Sequence, residues 1–235
     1  MAKTDFDHAV VMVRDRLDEL APGYAAQGYT LGERALHNLG SCNQVIVLDS
    51  AYIELLGWPP GDPPRPEIAN SPMGLEALVF RTDDAQATYE RLRGLGFAAN
   101  PVQDLMRPAV LDDGSEKTAR FQAVRFAEQP IPGLRMYFCR HLTPECVWRP
   151  SLLSHANEAR SISSIVIEAP DPAALGQRLG QVVDVVAEQQ ADEVLLALGN
   201  MDLRIRHNAS LSEPRLAQLF VRHADGTDRA LNIQI

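Results

Sequence analysis

The stretch Phe6-Asp7-His8-Ala9-Val10-Val11-Met12-Val13 decides how the chain folds. Its β-branched and apolar residues predict a strand over residues 5–13. Beyond Asp15 the apolar residues return at helical spacing, which predicts a helix that ends before Gly28. Three more strands are predicted at residues 29–31, 42–48 and 51–58. The first unit, residues 1–60, is therefore predicted to run strand, helix and three strands.

A proline-rich segment precedes a second unit of the same kind. Residues 59–66 predict a surface linker, because proline donates no backbone hydrogen bond and fixes its own backbone angle. Beyond it we predict a strand at residues 75–81, a helix at 83–94, and strands at 118–126 and 134–141. Asp7-His8-Ala9-Val10-Val11 also aligns with Leu75-Glu76-Ala77-Leu78-Val79. These features predict a second module over residues 71–145.

A third unit follows the second. Residues 162–167 predict a strand, Asp171 and Pro172 open a helix that runs to about Val183, and Gly199-Asn200 predicts a hairpin turn. We predict a third, partial module over residues 160–235. Its role as a lid, an interface or a relic of duplication is open.

The composition describes a folded, acidic chain of 235 residues, 46% of them hydrophobic and 23% charged. The net charge of −9, with no clustered basic stripe, argues against nucleic acid and anionic membranes as partners. The apolar runs are too short to cross a bilayer, and the N-terminus has no secretory apolar region. Cys42, Cys139 and Cys146 show neither a disulfide framework nor zinc-binding spacing. We predict a cytoplasmic protein in a reducing compartment.

Several stretches resemble the glyoxalase-like domain of the vicinal-oxygen-chelate superfamily. They are residues 6–13 before a helix, Gly40-Ser41-Cys42-Asn43 opening a strand, Tyr52-Ile53-Glu54-Leu55-Leu56 closing the unit, and residues 137–145 and 154–157. The resemblance covers roughly residues 4–145 well. It implies an α+β fold of tandem βαβββ modules, the first two of which curl around a shared cavity for a small molecule.

The resemblance also implies a metal site on the first and last strands of each module. His8 and Glu54 occupy those strands in the first module, and Glu76 and His141 occupy them in the second. Imidazole and carboxylate suit a divalent ion such as zinc, iron, manganese, nickel or cobalt, with open positions for substrate oxygens. Glu54 and Glu76 are also the candidates for the base that moves a proton.

Three other residues are candidates for substrate contact. Asn43 begins a strand, where its amide can orient a ligand. His37 lies near Gly40, at the predicted mouth of the cavity. Tyr52 shares a strand face with Glu54, because alternate residues of a strand point to the same side.

Each candidate metal ligand has a structural alternative. His8 can be a hydrogen-bonded strand histidine, and His141 can simply end a strand before a turn. Glu76 suits a solvated position on an edge strand. If Glu54 aligns with Cys139 through the tyrosine that precedes each of them, the fourth ligand position is open. These alternatives leave His8 and Glu54 as the leading pair.

The implied chemistry is chelation of two neighbouring substrate oxygens while a carboxylate moves a proton. We therefore predict a metal-dependent lyase or isomerase, of which lactoylglutathione-lyase chemistry is one instance. One alternative is an extradiol-type dioxygenase with iron held by His8, His141 and Glu54. The other is a metal-free protein of the same fold that binds or sequesters a small molecule. A small-molecule ligand is the predicted partner, and a homodimer is left open.

Overall fold

Two β-sheets carry the fold in the computed structural model, which describes residues 3–63 and 66–235. The first sheet contains β1 (Phe6–Arg14), β2 (Ala35–Leu36), β3 (Cys42–Val47), β4 (Tyr52–Gly57), β5 (Gly74–Arg81), β6 (Gln103–Val110), β7 (Glu116–Arg125) and β8 (Arg135–His141). The second contains β9 (Ala159–Ala169), β10 (Glu188–Gln189), β11 (Glu193–Ala197), β12 (Asp202–His207), β13 (Arg215–His223) and β14 (Asp228–Ala230). The helices are α1 (Leu17–Ala26), α2 (Pro66–Ala69), α3 (Ala85–Gly94) and α4 (Pro172–Val183), with 3₁₀ turns at Pro144–Cys146 and Pro150–Leu152.

The first sheet is built from two equivalent units. Its strand order is β2-β3-β4-β1-β5-β8-β7-β6. The first strand of each unit pairs in parallel with the last strand of that unit, β1 with β4 and β5 with β8. The two first strands meet antiparallel at the centre of the sheet. Each unit therefore contributes half of one continuous sheet, with a two-fold-like relation about the β1–β5 seam.

A β-bulge interrupts each central strand at the same place in its unit. The β1–β5 register shifts at Asp7 and again at Glu76. A bulge inserts one residue and so re-aims the side chains beside it. His8 and Ala77, which follow the two bulged residues, both face the cavity side of the sheet, which we call the inner face. Asp7 and Glu76 are therefore equivalent positions, and so are His8 and Ala77.

Apolar side chains cover both faces of the first sheet. The outer face packs against α1, α3 and the second sheet through a large core that includes Phe6, Val11, Leu78 and Phe80. The inner face carries a smaller cluster that residues of the two 3₁₀ turns help to close, among them Cys146, Val147 and Leu152. Burial of both faces explains why the central strands are almost continuously apolar.

The second sheet repeats the arrangement of the first. Its order is β10-β11-β12-β9-β13-β14, and β9 pairs in parallel with β12 and antiparallel with β13, as β1 does with β4 and β5. Asn200, in the turn between β11 and β12, fastens this sheet to the first. Its side chain accepts a hydrogen bond from the backbone N–H of Phe6 (2.8 Å) and donates one to the carbonyl of Phe6 (2.9 Å).

Some elements differ from the sequence-based expectation. The strand predicted at residues 29–31 was wrong, because those residues are irregular and the second strand of the unit lies at Ala35–Leu36. Strand β6 was not predicted. Of the linker predicted at 59–66, residues 59–63 are exposed, Pro64 and Arg65 lie outside the described residues, and Pro66 begins α2, a position that proline suits. Within the described part of the chain, no helix has the length and apolar character needed to cross a membrane.

Candidate functional site

A cavity opens on the inner face of the first sheet, and strands of both units line it. Its water-accessible volume is about 60 Å³, and the whole hollow counted with its opening to solvent measures about 650 Å³. Its apolar lining consists of Leu39, Val45, Leu56, Leu105, Phe121 and Val147. Its polar lining is His8, His37, Ser41, Asn43, Tyr52, Glu54, Arg107, Arg125, Arg135, Tyr137 and Cys139. A hollow in which polar groups converge beside apolar side chains can serve as a small-molecule site.

His8 lies on β1 in the wall of this cavity and is only 3% exposed. Its Nδ1 donates to Asp7 Oδ1 at 2.6 Å. Its Nε2 lies 3.1 Å from the Tyr137 hydroxyl and 3.6 Å from Glu54 Oε2. The ring stacks on Tyr52 with a centroid distance of 4.3 Å. Because Nδ1 is bonded to the Asp7 carboxylate, Nε2 is the ring nitrogen that faces the cavity.

Asp7 is fully buried and bonds to three side chains, those of His8, Arg81 and His141. We call these four residues the Asp7 network. Besides the bond from His8, Oδ1 accepts from His141 Nε2 at 3.0 Å, and Oδ2 accepts from Arg81 Nε at 3.0 Å. Burial alone would raise the pKa of the Asp7 carboxyl, but His141 and His8 hold that pKa far below its ordinary value. Asp7 is therefore an ionised carboxylate that fixes the orientation of both imidazoles.

Glu54 lies on β4, beside the Nε2 side of His8. Asn43 Nδ2 donates to Glu54 Oε1 at 2.6 Å and lies 3.4 Å from His37 Nε2. Burial alone would raise the pKa of the Glu54 carboxyl, but His8, His37 and the hydrogen bond from Asn43 lower it below its ordinary value. The site therefore contains a second buried carboxylate.

Glu76 and His141, the other two predicted ligands, lie outside the cavity lining. Glu76 accepts a hydrogen bond from Ser71 Oγ at 2.9 Å and forms an ion pair with Arg135. His141 lies beside the cavity wall, where its ring is 4.9 Å from that of Trp148 and 6.0 Å from that of Tyr52. The cavity lining thus brings together His8, Glu54, Asn43, His37 and Tyr52; His141 is connected to them through Asp7, and Glu76 lies outside the lining.

Strand register identifies the true counterparts of His8 and Glu54 in the second unit. Val10 on β1 pairs with Glu54, and Val79 on β5 pairs with Tyr137. Val10 and Val79 each lie three residues after a bulge, so they are equivalent. Tyr137 is therefore the counterpart of Glu54, just as Ala77 is the counterpart of His8.

The donor set at these four positions does not fit a resident divalent ion. His8 and Glu54 are strong ligands, but Ala77 offers no donor atom. Burial raises the pKa of the Tyr137 hydroxyl, and Glu54 raises it further, so the phenol stays protonated. Catalytic metal sites commonly use three protein ligands, and these positions supply two strong ones. The guanidinium of Arg135 in the same wall adds positive charge, which disfavours a cation.

Asp7, Cys139 and His141 form another group that could hold a metal ion, because their ligand atoms all lie within 4.8 Å of one another. Burial raises the pKa of the Cys139 thiol well above its ordinary value, and Asp7 and Glu54 raise it further. Asp7 is already bound by three donors, including the cationic Arg81. These contacts occupy Asp7 and the Nε2 of His141 without an ion, whereas the buried Nδ1 of His141 has no hydrogen-bond partner among the described residues.

Sequence interpretation missed three arginines that line the cavity: Arg107, Arg125 and Arg135. The guanidinium carbons of Arg125 and Arg135 lie 5.3 Å and 5.7 Å from the centroid of the Tyr137 ring. Cationic guanidinium groups are attracted to such aromatic rings. No motif marks these arginines. The one available signal for Arg107 is its position between Leu105 and Ala109, which places the three residues on the same face of β6.

A family model described as a glyoxalase-like domain matches residues 6–183. The chain belongs to the glyoxalase-like domain family. A comparison with curated proteins gives no significant match.

Solved structures with the same fold span almost the whole chain. A hypothetical protein from Staphylococcus aureus matches with a TM-score of 0.73 at 14% identity, over 95% of this chain and 93% of that one. A triple mutant of 4-hydroxymandelate synthase from Streptomyces coelicolor matches with a TM-score of 0.55 at 12% identity, over 93% of this chain and 71% of that one. A fusion of a xylose isomerase-like TIM barrel with 4-hydroxyphenylpyruvate dioxygenase matches with a TM-score of 0.59 at 13% identity, over 94% of this chain and 37% of that one.

These comparisons confirm the superfamily and fold expected from the sequence. The synthase and the dioxygenase are both vicinal-oxygen-chelate proteins, so the predicted α+β fold of tandem βαβββ modules is confirmed for this glyoxalase-like chain. Identities of 14% and below carry the fold alone. The module boundaries remain predictions. The roles of the site residues also remain predictions, because a shared fold does not establish function.

Proposed function

We propose that this glyoxalase-like protein is a lyase or isomerase that binds a small oxygenated molecule in the inner cavity and moves a proton with His8. One observation carries the proposal: Nε2 of His8 faces the cavity while Nδ1 is bonded to the buried, ionised Asp7 at 2.6 Å. A carboxylate that holds the far nitrogen of a histidine fixes the tautomer and stabilises the imidazolium that forms when the histidine takes a proton.

The neighbouring groups suit proton transfer next to a substrate carbonyl. His8 Nε2 would remove the proton, and the electron pair of the broken C–H bond would pass to the carbonyl oxygen. The Tyr137 hydroxyl, 3.1 Å from Nε2, can donate a hydrogen bond to the oxyanion that develops. The Glu54 carboxylate, 3.6 Å from Nε2, stabilises the protonated imidazole. Return of the proton to another atom of the substrate completes an isomerisation.

The metal-dependent forms of the predicted chemistry have less support. His8 and Glu54 would hold such an ion, and the ion would polarise substrate oxygens. The positions equivalent to them are Ala77 and Tyr137, which supply no third strong ligand. The dioxygenase alternative also needs His141, whose Nε2 is bonded to Asp7 instead.

A second candidate is a binding or sequestering protein. The Tyr137 hydroxyl already occupies hydrogen-bonding distance of His8 Nε2, which favours a site that holds a ligand without reacting. The two candidates differ in turnover and not in binding.

Proton exchange separates the two candidates. The chain is incubated in D₂O with a panel of small 2-oxo and 2-hydroxy carbonyl compounds, and deuterium incorporation is followed by NMR. We expect His8→Gln to slow exchange by about 10²–10⁴-fold, with ligand affinity changed by less than about tenfold. His207→Gln, an exposed histidine on β12, is the matched control. Binding without exchange in the wild type would support the sequestering protein, and unchanged exchange in His8→Gln would reject His8 as the base.

A further inference from the structure

The inner cavity carries an excess of positive charge in a chain whose net charge is −9. Among the described residues that line it, Arg107, Arg125 and Arg135 face the single carboxylate of Glu54. Arg135 is paired with Glu76 behind the cavity wall. The other two guanidinium groups have no carboxylate within ion-pair distance in the described part of the chain.

Arg107 is the more unusual of these two. It lies on the inner face of β6, is only 9% exposed, and donates a single hydrogen bond, from Nη1 to the carbonyl of Pro108 at 3.3 Å. A guanidinium has five N–H donors. Among the described residues, the buried side-chain nitrogens without a partner belong to His141 and Arg149, so the remaining N–H groups of Arg107 are open to solvent and can bind a ligand.

Nearby acids are committed to other partners. Arg107 is close enough to Glu33 to help lower the pKa of the Glu33 carboxyl, but that carboxylate is bonded to Arg149. Arg149, which is also buried, is further bonded to the carbonyl of Val110. Arg125 donates to the neutral side-chain oxygen of Gln103. The carboxylates of Glu33 and Glu76 thus pair with Arg149 and Arg135, whereas Arg107 and Arg125 have no carboxylate partner among the described residues.

We infer that Arg107 binds an oxyanion group of the substrate, a carboxylate or a phosphate, whose apolar body packs against Leu105 and Phe121. The inference rests on the proposed function, because it names the substrate class of the same cavity. The planar fork of a guanidinium matches the two oxygens of either group. The apolar residues on the same strands give the ligand body a surface to bury.

The inference is tested with three probes of similar shape on the full chain: phenylacetate, phenyl phosphate and neutral phenylacetamide. Isothermal titration calorimetry measures their affinities in low salt. We expect at least one anionic probe to bind about tenfold or more tightly than the amide, and added NaCl to reduce the difference. The stronger of the two anions identifies the oxyanion class.

Variants of Arg107 then assign the preference to this side chain. Arg107→Met should bring the anions and the amide to similar affinity, and Arg107→Lys should keep part of the preference. Arg120→Met is the matched control, because Arg120 lies on the adjacent β7 but is exposed and does not line the cavity. Circular dichroism checks that each variant folds. If Arg107→Met does not fold, the reduced preference expected for Arg107→Lys tests the same side chain.

Three results would overturn the inference: equal affinities in the wild type, a preference that survives Arg107→Met, or no binding of any probe. If the three probes bind the wild type with equal affinity and Leu56→Trp abolishes that binding, the cavity binds neutral molecules. The proposed function would then stand without the anion site. Proton exchange in His8→Gln judges the proposed function separately.

Discussion

Tyr137 occupies on β8 the register position that Glu54 occupies on β4. The two halves of the sheet therefore present a phenol and a carboxylate to the same histidine, at 3.1 Å and 3.6 Å from His8 Nε2. Duplicated modules have given unlike groups at equivalent places, and this asymmetry determines what the cavity can bind.

The first prediction concerns metal content. After loading with zinc, iron, manganese, nickel or cobalt and dialysis, we expect the protein to keep well below one equivalent, because only His8 and Glu54 are strong ligands. Elemental analysis measures the content, with a His8→Ala, Glu54→Ala double variant beside the wild type. One full equivalent that the double variant loses would restore the metal-dependent lyase or isomerase.

A metal site should be obtainable by one substitution. Tyr137→Glu adds a carboxylate at the position equivalent to Glu54, beside His8 Nε2, so we expect zinc or nickel affinity to rise at least about tenfold. Calorimetric titration measures the gain, and Tyr137→Gln, which has similar size but no charge, is the control. Equal affinities in the two variants would argue against the equivalence deduced from register.

The Asp7 network should make stability depend on pH. We expect Asp7→Asn to lower the free energy of unfolding by about 3–5 kcal/mol at pH 7, because it leaves His8, His141 and Arg81 without their buried carboxylate. The folded-state pKa of Asp7 lies far below its ordinary value of 3.8. The stabilisation is therefore complete above about pH 4 and is lost as the pH falls below it.

Urea unfolding of the wild type and Asp7→Asn at pH 7 and pH 3 measures this dependence. The difference between the two proteins should shrink at the lower pH. A difference that is the same at both values would mean that Asp7 is not ionised in the folded protein.

A pair of glycines offers a test of packing. A Cβ added at Gly57, at the end of β4, would lie 2.0 Å from the carbonyl oxygen of Arg14, so we expect Gly57→Ala to destabilise the fold by roughly 1–3 kcal/mol. A Cβ at Gly94, the last residue of α3, meets nothing within 4 Å, and Gly94→Ala should stabilise by about 0.4–1 kcal/mol. Thermal unfolding compares them, and effects of the same sign would contradict this description.

The sequence predicts the buried strands and the longer helices well, because their apolar residues follow the required spacing. The predicted strand at residues 5–13 and the observed Phe6–Arg14 nearly coincide. The helix predicted at 83–94 begins two residues later, after Asp84, whose side chain accepts from the N–H of Ala87. Strand β6 was missed because it is exposed on one side and because Arg107 and Pro108 interrupt its apolar residues.

The site was predicted in part, and the bulges explain the rest. His8 and Glu54 do meet in the cavity. The sequence alignment makes His8 equivalent to Glu76, whereas the bulges in the structure make Asp7, one residue earlier, the equivalent of Glu76. On a regular strand Asp7 would point away from the side of His8, so a bulge was needed to make it the centre of the network. A bulge inside an apolar strand leaves no mark in the spacing of the residues.

The grip of Asn200 on Phe6 has a consequence for how the molecule can be divided. Phe6 is the residue before the bulge, and both of its backbone groups are held by one amide from the second sheet. A truncated chain that keeps only the first sheet would lose the two Asn200 hydrogen bonds that hold Phe6, the residue next to Asp7 and His8. A shorter design that contains this cavity therefore needs another side chain to bond to both backbone groups of Phe6.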